Sequence, residues 1–187
     1  MRQMNNSVES NFITFLEKMT PEKAAMANLR RGLGKPAGTV YEMDRYVLPF
    51  LSKSTGNKRE AVYYTIASLF AFWHQGKDKP ESANGNLGSS LKQLVNIESK
   101  NNNREDTEKR IEKYLMAILN ANNEDLPDHL RRIVSLLKSK DIPLNWAQLL
   151  YDIQHWETDD RWIQHQWAKN FWEYTKQTNN EQSLEGE

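Results

Sequence analysis

"KREAVYYTIASLFAFWHQ", residues 58–75, decides the fold class. Val62, Ile66, Leu69, Phe70 and Trp73 fall at i, i+4, i+7, i+8 and i+11. That is the period of one broad buried helix face, and a strand would alternate instead. Asn57, just before the run, is expected to cap it.

Toward the N-terminus the same period recurs. Phe12, Ile13, Phe15, Leu16 and Met19 predict a first helix capped by Ser7 or Ser10. Thr20-Pro21 reads as a cap followed by proline at the first helical position. The helix it opens carries Ala24, Ala25, Met26 and Leu29 inward and is expected to stop near Gly32. Gly32 or Gly34 then supplies a left-handed turn, and Pro36 prevents the helix from resuming. A short helix is expected within "MDRYVLPFL".

Toward the C-terminus, "GKDKPESANGN" (76–86) reads as a polar loop and a helix follows from about Leu87 to Asn96. "IESKNNNRED" is the best internal boundary. Beyond it Ile111, Tyr114, Leu115, Ile118 and Leu119 form one inward stripe, and Leu126, Leu130, Ile133, Leu136 and Leu137 another. "NWAQLLYDIQHW" is the next helix. Asp159 and Asp160 open the last, with Ile163, Trp167, Phe171 and Tyr174 on its inner face. No pair of alternating β-branched runs joined by hairpin turns occurs. The expectation is all-α: a two-lobed bundle of about eight or nine helices with no sheet. Its lobes span 1–97 and 104–177, and an acidic tail, 178–187, is expected to be disordered.

Six Trp, six Phe and seven Tyr in 187 residues exclude a wholly disordered chain. With no cysteine, disulfides and thiolate metal sites are excluded, in keeping with a reducing cytoplasm. No apolar run suggests a signal core or a membrane span, so a cytoplasmic protein is expected. Net charge is zero, but the tail holds three Glu and no base, leaving the remainder with 25 basic and 22 acidic residues. The bases cluster: Arg30, Arg31 and Lys35; Lys53, Lys58 and Arg59; Lys109, Arg110 and Lys113; Arg131, Arg132, Lys138 and Lys140. Such clusters suit a polyanion backbone, and they also suit solvated helix faces.

The sequence carries no legible catalytic motif. "GLGK" (32–35) lacks the spacing of a phosphate loop, is followed by Pro36 rather than Ser or Thr, and follows a helix rather than a strand. His74, His129, His155 and His165 include no i, i+4 pair, so no metal site is expected. No cofactor and no enzymatic activity are expected. Five of the six tryptophans lie in the last two predicted helices, where core packing is the better reading than base stacking. Trp162 and Trp172 do not both fit the Trp167 face.

Four stretches, taken in order, resemble the CasB family. They are "LRRGLGKPAG…YVLPFL", "EAVYYTIASLFAFW", "NLGSSLKQLV" and the long run from "EKRIEKYLMAILNA" through "DLPDHLRRIVSLLKSKDIPLNWAQLLYDIQHW" to "WIQHQWAKNFW". Together they span about residues 12 to 174. CasB is the small subunit of the type I-E CRISPR surveillance complex, Cascade. The resemblance implies two helical lobes, no catalytic activity, and a place beside a second copy along the crRNA-bound filament. It implies, as partners, the other Cascade subunits with crRNA, the target strand and the displaced strand. In RNA-guided recognition base pairing reads the sequence, and a helper subunit supplies backbone contacts.

Carried over by motif position, the implied nucleic-acid contacts are Arg30 and Arg31 in "LRRG" and Arg131 and Arg132 in "HLRR". Arg59, Arg110, Lys35 and Arg161 follow. Adjacent arginines on a helix point about 100° apart, so both members of a pair need not reach one strand, and one is free to pair instead with an acid of the neighbouring lobe or of a partner subunit. The competing reading is a stand-alone helical DNA-binding regulator. Its nearest helix-turn-helix candidate is "LLKSKDIPLNWAQLL", whose second helix is too apolar for a recognition helix.

Overall fold

The computed structural model describes residues 8–52 and 55–173. Among them are nine α-helices and no strand. They are α1 (Val8–Met19), α2 (Lys23–Arg30), α3 (Asp44–Val47), α4 (Asn57–Trp73), α5 (Leu87–Glu98), α6 (Arg104–Leu119), α7 (Leu126–Ser139), α8 (Trp146–Gln154) and α9 (Trp162–Trp172). Single 3-10 turns, Tyr41–Met43 and Leu48–Phe50, flank α3 where one short helix was expected. The Ser7 cap, Lys53, Tyr174 and the 178–187 tail lie outside the described residues.

Helix α4 is the hub, packing against α2, α7 and α8, while α1 lies on α8. It is more deeply enclosed than a one-faced helix. Tyr63, Tyr64, Ile66, Ala67, Leu69, Phe70, Ala71 and Trp73 are all buried, and Val62 is only partly so. The periodic apolar positions identified one face, and Ala67, Ala71 and Ser68 are small enough for neighbouring helices to close on the others. Helix α5 packs on α6 and α9, and one continuous hydrophobic cluster runs from Phe12 to Phe171.

Several local expectations are corrected. Thr20 does not cap α2: its Oγ1 donates to Leu16 O, and α2 starts at Lys23 after Glu22. Gly56, not Asn57, precedes α4 as its cap residue. The side-chain caps are instead Asn86, Asn103 and Asn145, which accept from the N–H groups of Ser89, Asp106 and Gln148. Helix α5 runs two residues beyond Asn96, to Glu98. On α6 the buried residues are Thr107, Ile111, Leu115, Ile118 and Leu119, leaving Tyr114 at the edge of the stripe and exposed. On α7 Val134 is buried where Leu136 was expected, and Leu136 is half-buried. Asp160 lies ahead of α9 and accepts from Trp162 N–H, while Arg161 takes the position before the helix.

Trp73, Trp146, Trp156 and Trp167 are buried, and Trp172 is exposed. Three of the buried indoles spend their N–H groups on tertiary bonds. Trp73 donates to Ile142 O, Trp156 to Ala121 O, and Trp167 to the Asp152 carboxylate at 2.6 Å. A buried N–H without an acceptor is costly, so these bonds fix how the helices meet.

Candidate nucleic-acid interface

The end of α2 builds the first part of the interface. Arg30 is its last helical residue and Arg31 its right-handed cap. The chain then tightens through i→i+3 bonds, with Arg31, Gly32 and Leu33 N–H donating to Asn28, Leu29 and Arg30 carbonyls. The left-handed residue is Gly34, at φ +72°, and not Gly32. Gly32 serves packing instead: Met43 Sδ lies 2.3 Å from where a Cβ would be.

The Gly34 loop folds against α7. Arg131 Nη1 lies 2.6 Å from the Cβ position of Gly34. The cleft between them encloses about 310 Å³ and includes Lys35, Val40, Met43 and Ser68, with Glu124 and Asp128 on the α7 side. Thus "LRRGLGK" and "HLRR" meet in space, bringing Lys35 and Arg131 to one cleft.

The adjacent arginines of "LRRG" part company. Arg31 pairs with Glu42 across the surface. A hydrogen bond from the backbone of Glu42, then the Arg31 contact and the charges of Arg31 and Lys35, hold the Glu42 carboxyl below the usual carboxylate range. Arg30 turns to a second cleft of about 360 Å³, shared with Met26, His74, Lys77 and Asp78. Beside it Lys138 donates to Phe72 O and Trp73 O at the end of α4. Cations are favoured at a helix C-terminus. Burial, then the charges of Lys77 and Arg30, push the Lys138 pKa down.

The remaining candidates are tied into the fold. Arg59 donates to Gln154 Oε1 and reaches Glu9 at 3.4 Å. Arg110 pairs with Glu98, which Lys140 also approaches. Arg161, itself left-handed at φ 49°, donates to Leu119 O at the end of α6. Among the described residues, the side chains of Arg30, Lys35, Arg131 and Arg132 have no hydrogen-bond or ion-pair partner, and Lys35, Arg131 and Arg132 are exposed. The eight candidates therefore divide into four bound and four available cations.

The other polar centres are internal. His74 is buried between Phe70 O at Nδ1 and Glu81 N–H, which donates to Nε2. Both ring nitrogens are used, and burial lowers its pKa. Asp152 accepts from Trp167 and Gln148, and burial raises its pKa to about 6 despite those bonds. Among the described residues no group of three or more His, Cys, Asp or Glu is placed to hold a metal ion. No described helix is long and apolar enough to cross a membrane.

The fold and surface define an all-helical protein that presents unpaired arginines from separate elements. Residues 25–172 match the family model for CRISPR-associated protein Cse2, and the chain belongs to that family. It is 27% identical over 165 residues to the CRISPR-associated protein Cse2 of Thermus thermophilus, covering 86% of this chain and 88% of that protein. The crystal structure of CasB from Thermus thermophilus superposes with a TM-score of 0.71 at 25% identity, covering 89% of this chain and 98% of the other. A chain of a CRISPR RNA-guided surveillance complex gives a TM-score of 0.70 at 25% identity, covering 88% and 91%.

Proposed function

We propose that this chain is the small, non-catalytic subunit of a type I-E Cascade complex, cytoplasmic and placed beside a second copy of itself. Its task there is to hold the backbone of the opened target, both the crRNA-paired strand and the displaced strand, so that the R-loop persists. The proposed lobes divide at residues 98–103. The observation that carries the reading is the unpaired set Arg30, Lys35, Arg131 and Arg132, two of which share one cleft. Membership of the Cse2 family and likeness to a surveillance-complex chain support it.

Strand exchange beneath a guide RNA is nearly balanced in free energy, so a few phosphate contacts bias it without reading any base. Arginine suits that role because its guanidinium grips phosphate bidentately. Acids offset the bases across the chain, so isolated binding is expected to be modest and salt-sensitive. The direct test is co-purification of the tagged chain with crRNA and the other Cascade subunits. Recovery of the chain alone, in cells that assemble Cascade, would remove the proposal. A strong preference of the purified chain for one duplex site would favour a stand-alone regulator.

A further inference from the structure

Tyr41 is 80% exposed, the most of any large hydrophobic side chain among the described residues. Its surroundings are not loose. Val40 and Met43 on either side are buried, Met43 against Gly32, and the adjacent Glu42 is tied to Arg31. The turn is therefore held from both ends while the ring is left in water. Single exposed apolar residues are ordinary, so exposure alone assigns nothing. The second observation is the charge around the turn. Val40 and Met43 line the cleft that holds Lys35 and Arg131, Glu42 lies in the field of Arg31 and Lys35, and Arg45 follows on α3.

An exposed aromatic face next to available cations is an arrangement that holds single-stranded nucleic acid: the cations track phosphates and the ring stacks on a base. Here the cleft beside the Tyr41 turn supplies Lys35 and Arg131, with Glu124 and Asp128 also on its wall. We infer that Tyr41 is a stacking platform for one unpaired base, with Lys35 and Arg131 engaging the neighbouring phosphates. The inference rests on the proposed backbone-holding role and adds to it a contact with a base. A ring offers its face to any base, so the contact adds affinity without sequence preference. It also selects unpaired strands, because a duplex keeps its bases stacked inside.

The test compares the full-length chain with its Tyr41→Ala and Tyr41→Phe variants. Each is titrated against an oligothymidylate of about 15 nucleotides, within the range single-strand sites occupy, and an abasic deoxyribose-phosphate strand of equal length. Tyr41→Ala is expected to weaken oligothymidylate binding by about 5- to 150-fold, the contribution of one stacked base. Abasic binding and the salt slope should stay unchanged, and Tyr41→Phe should bind like the parent. Equal losses on both strands, or no loss on either, overturn the stacking role while leaving the backbone role standing. Unchanged DNA binding with lost co-purification of Cascade subunits assigns the ring to a protein interface, also against the inference. Failure of the parent chain to bind either strand, including within assembled Cascade, removes both readings.

Discussion

Arg131 Nη1 occupies the space beside Gly34 that a side chain would fill, 2.6 Å from the Cβ position. One glycine thereby meets two demands. It takes the left-handed turn after α2, and it leaves room for a guanidinium delivered by α7 from far along the chain.

Replacing Gly34 with alanine is expected to destabilise the protein by about 1–2 kcal/mol, chiefly through the left-handed backbone. The clash falls on the flexible end of Arg131, which is expected to swing away. Urea unfolding of Gly34→Ala, Arg131→Ala and the double variant separates these effects. The backbone cost should persist without Arg131, and the clash should vanish as a coupling energy. A double variant as stable as Arg131→Ala alone would count against the backbone cost.

The two groups of arginines should differ in kind. Arg131→Ala with Arg132→Ala is expected to leave the melting temperature nearly unchanged. It should lower target-DNA retention by assembled Cascade and reduce the salt slope by about 1 per lost phosphate contact. Arg161→Ala is expected to do the reverse, costing about 1 kcal/mol through the lost bond to Leu119 O with little change in salt slope. Retention assays across a salt series, beside thermal melts, check both.

Helix α5 meets α9 without clearance at Gly88, where a Cβ would lie 2.0 Å from Trp167 O. The obstacle is backbone and cannot turn aside. Gly88→Ala is therefore expected to cost about 3 kcal/mol, the upper part of the overpacking range. Near-ultraviolet circular dichroism should report the displaced Trp167. A loss below about 0.5 kcal/mol would show that the two helices part freely.

Asp152 gives the fold a pH dependence of definite sign. Its folded pKa, about 6, lies above the ordinary value of 3.8 because burial disfavours the carboxylate. Between those values the folded state holds more protons than the unfolded chain, so stability from this group falls as pH rises. That contribution is fully present below pH 3.8 and is lost through pH 6. Asp152→Asn keeps an acceptor for Trp167 and should flatten this part of the pH profile between pH 4 and 7. Identical slopes in parent and variant would show that the carboxylate carries none of it.

Much of the fold was legible because helical burial is written in local period. The stripe Val62, Ile66, Leu69, Phe70, Trp73 located α4, and Ile163, Trp167, Phe171 located α9. Errors fell where two signals of similar strength competed. Thr20-Pro21 offered a cap but Thr20 closed α1, and Tyr114 stood at the margin of a stripe. The site was less legible. Arg30 and Arg31 are adjacent and chemically alike, yet one pairs with Glu42 and the other does not, a difference that depends on where the Tyr41–Met43 turn lands.

The sequence by itself determined the all-helical class, the enclosure of the core tryptophans and the positions of the basic clusters. Each follows from spacing over a few residues, which the backbone converts directly into a face. Only the tertiary structure decided which cations remain available. Arg59 meets Gln154 across 95 residues, Arg161 meets Leu119 across 42, and Arg110 meets Glu98 across 12. Such contacts arise when helices pack and a charge reaches an acceptor only a few ångströms away. No period along one helix encodes that distance, so the division between bound and available arginines is a property of the folded molecule.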